Sequence, residues 1–204
     1  MSFIDGHPHA DRAFPAPSAA KPTVLIVPGL GNSPDGHWQS AWERERSDCV
    51  RADLGDWDHP NPSHWVARLD AIIRAIPGPA VIAAHSLGCI ATALWASTHA
   101  SHHSVAGALL VAPCDAEAAD APAALRRFAP ISRQRFPFST AVAASTNDPY
   151  AGLARAREIA AWWGSKFVNI GAAGHINAQS NLGAWRQGQD LLDAILQPQI
   201  GVTS

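Results

Sequence analysis

The sequence predicts a single α/β domain: a mostly parallel sheet with helices on both faces. Three observations lead there. Short β-branched or wholly apolar runs alternate along the chain with longer segments of helical periodicity. Two of those runs, Ala80–Ala84 and Val105–Val111, are almost entirely apolar, as strands covered on both faces are. And 204 residues, 47% hydrophobic and 16% charged, suffice for one substantial core and lie far from disordered composition.

The elements follow in order. Residues 1–21, rich in proline and histidine, read as a flexible tail, and 22–204 as the domain. Thr23–Val27 is a strand closed by Pro28-Gly29, and Cys49–Leu54 a weaker second strand. Asn61-Pro62 opens a helix whose face carries Trp65, Leu69, Ile72, Ile73 and Ile76, and Pro77-Gly78-Pro79 ends it. Ala80–Ala84 is followed after Ser86 by an alanine-rich helix, Leu87–Ala100. Val105–Val111 and Thr140–Ala144 are strands, Ala151–Trp163 is a helix stopped by Gly164, Lys166–Ile170 is the last strand, and Leu182–Leu196 closes the chain as a helix. Between Pro113 and Phe138 there is room for one short helix around Ala121–Phe128 but not for a cap domain.

Charge and cysteine usage exclude several functions. Fifteen basic against seventeen acidic residues, a net charge of −2, give no basis for binding nucleic acid or an anionic membrane. Cys49, Cys89 and Cys114 form no Cys-x-x-Cys pair and read as reduced thiols, not a disulfide framework or a zinc site. No apolar run approaches the roughly 18 residues of a membrane span, and the N-terminus lacks a basic start and an apolar stretch. The expected location is cytoplasmic.

Chemistry is expected beyond the carboxyl ends of the strands. Ser86, in Ala84-His85-Ser86-Leu87-Gly88, is the only one of 16 serines with Gly or Ala two residues before and Gly two residues after. A nucleophile on a tight strand-to-helix turn requires small neighbours there, whereas a plain helix N-cap does not. The Leu87 N–H, at the start of the helix, is one candidate oxyanion donor, and Leu30 in Pro28-Gly29-Leu30-Gly31-Asn32, preferred over Gly31, is the second. His175 follows the glycine-rich run Gly171–Gly174 and is the candidate base among ten histidines; His85, beside Ser86, should point to the opposite side of its strand. Two acids compete: Asp148, in Thr146-Asn147-Asp148-Pro149-Tyr150, and Asp115, after Pro113-Cys114. Asp148-Pro149 is also what a helix N-cap looks like. Position favours Asp148, and the chain order Ser, Asp, His is that of a triad on an α/β-hydrolase sheet.

The segments PGLGNSPDGHW, AHSLG, STNDPY and GAAGHINAQSNLGAW together resemble the small serine hydrolases grouped with retinoblastoma-binding protein nine and the bacterial YdeN-type proteins. The resemblance spans nearly all of the chain after the tail. It implies a compact α/β-hydrolase fold without a substantial cap domain, with Ser86, Asp148 and His175 as the triad, and it raises Asp148 over Asp115. Two departures stand out: Ala84 replaces the usual glycine, and the retinoblastoma-binding pattern Leu-x-Cys-x-Glu is represented only by Leu87–Ala91, without its Glu. That protein interaction is not expected.

The function expected is therefore hydrolysis of small carboxyl esters or related acyl substrates, with no metal and no organic cofactor. Trp38 and Trp57 are expected on loops at the site end, as candidates to line an acyl pocket, while ordinary packing is the expectation for most of the eight tryptophans. An acyltransferase, a peptidase, or a partner-binding protein that keeps the fold are the competing readings.

Overall fold

The computed structural model describes residues 21–99 and 103–197. Of the expected tail, residues 1–20 lie outside them, and Lys21 pairs with Asp48 at 2.8 Å. Six strands run β1 (Thr23–Val27), β2 (Cys49–Arg51), β3 (Ala80–His85), β4 (Val105–Val111), β5 (Ser139–Ala144) and β6 (Lys166–Asn169). They form one sheet in the order β2-β1-β3-β4-β5-β6, and every neighbouring pair is parallel.

Two-residue alternation along these strands divides the core into two layers. Leu25, Ile82, Leu110 and Val142 face one layer; Val24, Val81, Leu109 and Ala141 face the other. The first layer is covered by α2 (Pro62–Ala75), α3 (Leu87–Thr98) and α5 (Leu153–Trp163), through side chains such as Leu69, Ile90 and Ile159. The second is covered by α1 (Trp38–Glu45) and α6 (Arg186–Leu196), through Trp38, Trp42 and Leu192. Burial on both faces is why β3 and β4 are continuously apolar in sequence.

Helix ends follow the sequence signals where those are chemical. The Asn61 side chain accepts the His64 N–H with Pro62 at the first position of α2, and Gly164 ends α5 in the left-handed conformation. The Ile195 side chain packs where a Cβ on Gly107 would stand, 2.4 Å from Cγ2, so α6 lies directly on β4. The segment between β4 and β5 contains only the four-residue α4 (Ala123–Arg126) and no cap domain.

Three expectations need correction. Helix α1 is absent from the sequence reading, and Trp38, placed there on a site loop, is its first residue and fully buried in the second layer. Trp57 packs against the first layer and does not line the pocket at Ser86. Strand β2 stops at Arg51, short of the expected Leu54: its ladder with β1 closes with the Ala52 N–H donating to Ile26 O at 2.8 Å.

Candidate active site

The order β2-β1-β3 means that the chain leaves β1 toward one edge of the sheet and β3 toward the other. The carboxyl ends of β1 and β3 therefore diverge and open a crevice. Gln39 of α1, fully buried, spans it: its amide donates to Val27 O at 3.2 Å and Ala83 O at 2.9 Å, and its Oε1 accepts the Ser33 hydroxyl at 2.6 Å. One buried side chain thus ties the carboxyl ends of β1 and β3 to each other and to the Ser33 loop.

Ser86 sits at this crevice with φ 52° and ψ −120°, a strained backbone for a residue with a Cβ. It occupies the position before α3, yet its side chain makes no capping bond. The turn is possible because its neighbours are small. A Cβ on Gly88 would lie 2.4 Å from Pro28 O and 2.5 Å from Val27 O, and one on Gly29 would lie 2.9 Å from the Ser86 Cβ. Neither site tolerates even an alanine without displacement of backbone or of Ser86.

The three candidate reactive side chains are brought together. Ser86 Oγ is 2.9 Å from His175 Nε2, and His175 Nδ1 is 2.9 Å from both Asp148 carboxylate oxygens. The Ser86 and His175 residues are each 8% exposed, and the Asp148 side chain 3%. Asp148 Oδ1 also accepts the Tyr150 N–H at 2.9 Å, so the local turn expected of Asp-Pro coexists with the histidine contact. Asp115 is engaged elsewhere, with Arg155 Nη2 at 3.0 Å and the Glu117 N–H at 3.1 Å.

The loops bearing Asp148 and His175 are stitched together by side chains that the sequence reading passed over. Ser145 Oγ accepts the Ala173 N–H at 2.9 Å and donates to Asn147 Oδ1 at 2.8 Å; Asn147 Oδ1 accepts the Gly174 N–H at 2.7 Å. Trp38 Nε1 donates to Ile176 O at 2.9 Å. Asn147, adjacent to Asp148, was the one readable signal among them.

Two main-chain donors border Ser86. The Leu87 N–H opens α3, and neither it nor the Leu30 N–H is paired with an acceptor among the described residues. The loop bearing Leu30 is held from behind by Arg51, whose Nη1 donates to Asn32 Oδ1 at 2.7 Å and Ser33 O at 3.0 Å. A pocket of about 320 Å³ reaches Ser86 and His175, with Leu30, Pro34, Pro122, Leu125 and Tyr150 among its walls.

Two further histidines lie beside the base. His85 Nε2 is 2.9 Å from His175 O, and its ring stands 4.6 Å from that of His37 and 4.8 Å from that of His175. Burial, then the neighbouring His37 and His175, keeps the His85 ring far below the usual imidazole range. Burial, then Arg51 and His175, lowers His37 to about 3. Burial pushes Cys114, behind Ser86, up to about 12, so it stays a thiol. Among the described residues no group of three His, Cys, Asp or Glu could hold a metal ion, and no helix is long and apolar enough to cross a membrane. Leu87–Ala91, the counterpart of the retinoblastoma-binding pattern, is buried.

Comparisons with known proteins agree with this architecture. A YdeN-like hydrolase of Pectobacterium atrosepticum is 31% identical, with 86% of this chain and 92% of that one aligned at a TM-score of 0.74. The ydeN gene product of Bacillus subtilis (18%, TM-score 0.69, covering 86% and 98%) and Est1E of Butyrivibrio proteoclasticus (12%, TM-score 0.63, covering 89% and 91%) share the fold. No curated protein matches the chain significantly. Residues 24–194 match the family model described as serine hydrolase, and the chain therefore belongs to that family, with the α/β-hydrolase fold of its YdeN-type members.

Proposed function

We propose that the protein hydrolyses small carboxyl esters or related acyl substrates through an acyl-enzyme on Ser86. The observation that carries this reading is the continuous chain of 2.9 Å contacts from Ser86 Oγ through His175 to Asp148, on a strained turn at the crevice. His175 Nε2 takes the Ser86 proton as Oγ attacks the acyl carbonyl. Asp148 holds the ring with its hydrogen on Nδ1 and stabilises the imidazolium that results. The Leu87 and Leu30 N–H groups receive the oxyanion. His175 then gives its proton to the leaving alcohol, and water, deprotonated by the same ring, releases the acid and restores Ser86.

The pocket supports a small acyl group. Its volume of about 320 Å³ lies at the low end for ligand sites, and α4 contributes only Leu125 and the preceding Pro122 as a rim. The lining includes no lysine or arginine, which favours an uncharged acyl chain.

A fluorophosphonate probe tests the reading directly. Stoichiometric labelling of wild type, absent in a folded Ser86→Ala variant, together with turnover of short p-nitrophenyl esters, is the expected result. A folded wild type that neither labels nor turns over an acyl ester or amide would overturn it.

A further inference from the structure

We infer that His85 is a positioning residue for the base: its ring clamps the His175 main chain while Ser86, the next residue, engages the His175 side chain. The inference rests on the reading of Ser86 and His175 as nucleophile and base, and extends it to the side chain next to Ser86, which also lines the pocket.

The geometry is specific. A carbonyl oxygen only accepts, so the 2.9 Å contact between His85 Nε2 and His175 O requires the hydrogen on Nε2. His85 is 5% exposed at the end of the central strand β3, its ring flanked edge-on by His37 and His175. His175 itself lies between Gly174 (φ 57°) and Ile176 (φ 50°), both left-handed, in a turn that no strand supports. Side chains from other elements hold its neighbours: Ser145 the Ala173 N–H, Asn147 the Gly174 N–H, Trp38 the Ile176 carbonyl. Among the described residues only His85 holds the main chain of residue 175, and it does so from the residue adjoining the nucleophile. Residues 85 and 86, neighbours in the chain, thus meet the two ends of one histidine, its carbonyl and its Nε2.

The requirement at position 85 is then a donor that stays uncharged. An imidazolium 4.8 Å from the His175 ring would oppose the charge that ring must acquire in catalysis. The groups facing His85 are the His37 and His175 rings; Arg51, which acts on His37, adds further positive charge behind it. A glutamine, whose Nε2 extends about as far from the backbone and never titrates, satisfies the same requirement.

The test compares His85→Phe, which keeps an aromatic ring against His37 but has no donor, with His85→Gln. Where the Phe variant fails to fold, His85→Leu replaces it. For short p-nitrophenyl esters the expected result is a fall in kcat of about 10- to 100-fold for His85→Phe with KM changed less than about twofold, and recovery of most of that loss in His85→Gln. The His175 Nδ1–H resonance, followed by proton NMR on all three proteins, should broaden or shift upfield in His85→Phe and return in His85→Gln. A folded donor-less variant with wild-type kcat and an unchanged His175 resonance would overturn the inference, as would a glutamine variant as impaired as phenylalanine. If wild type takes no fluorophosphonate and cleaves no ester, the proposed function falls alone. The resonance still decides whether His85 positions His175.

Discussion

The Gly31 N–H donates to the Trp57 carbonyl at 2.9 Å. That single bond distinguishes two adjacent amides: Gly31 is committed to the loop, whereas Leu30, one residue earlier, has no acceptor among the described residues and is the donor we propose. Gly29, preceding it, carries the next prediction. Because a Cβ there would lie 2.9 Å from the Ser86 Cβ and 3.2 Å from the Leu87 N, Gly29→Ala should lower kcat about 100-fold or more while the protein remains folded. Circular dichroism together with steady-state kinetics checks this, and a fully active alanine variant would contradict it.

Asp148→Asn removes the carboxylate that fixes the ring hydrogen on Nδ1 of His175. The expected cost is about 10⁴-fold in kcat near neutral pH. Asp115→Asn, by contrast, breaks only the Arg155 contact and should leave kcat within a few-fold. Measuring both on one ester separates the two acids that the sequence alone left in competition.

Gln39→Leu is a prediction about stability. It removes the donors to Val27 O and Ala83 O and the acceptor of the Ser33 hydroxyl, all in a fully buried site. Losing these three buried hydrogen bonds together should cost about 2–4 kcal/mol in urea denaturation. A loss below about 0.5 kcal/mol would mean that the strand ends close without this bridge.

Acid should destabilise the fold earlier than its carboxylates require. His37 titrates at about 3 in the folded state against an ordinary 6.5, and His85 is also shifted down. Lowered histidines bind protons in the unfolded chain first. Their stabilisation is therefore complete above about 6.5 and is lost as pH falls from there, for His37 down to about 3. Each contributes a slope of up to about 1.4 kcal/mol per pH unit in that window. Asp48, lowered to about 2 by its hydrogen bonds with Arg46 and Lys21 against an opposing burial effect, adds to the loss only below its ordinary 3.8. Urea titrations from pH 4.5 to 7.5 should show stability rising with pH to a plateau near 7, with a shallower slope in His37→Asn. A flat profile would contradict the assignment.

Much of this was legible in the chain because the signals were local. Ala80–Ala84 and Val105–Val111 announce strands buried on both sides, and the small residues around Ser86 announce a turn tight enough to strain it. Asn61-Pro62 and Gly164 mark helix ends by their own backbone chemistry. Helix α1 carries no comparable signal. Its eight residues are too few for a sustained apolar period, its cap is a histidine, and two of its buried side chains, Gln39 and Ser40, are polar. They are buried because of partners far along the chain, which no window of sequence contains.

The site divides the same way. The sequence by itself determined Ser86 and His175 as candidates, an acid at Asp148 or Asp115 between them, and the alternation that places them beyond parallel strands, since these depend on residue type and spacing. Only the tertiary structure set Asp148, and not Asp115, against His175, engaged the Gly31 N–H with Trp57 O, and set His85 against the His175 carbonyl. Those outcomes depend on hydrogen bonds between residues up to 90 positions apart, and such bonds exist only once the sheet has brought its carboxyl ends to one edge.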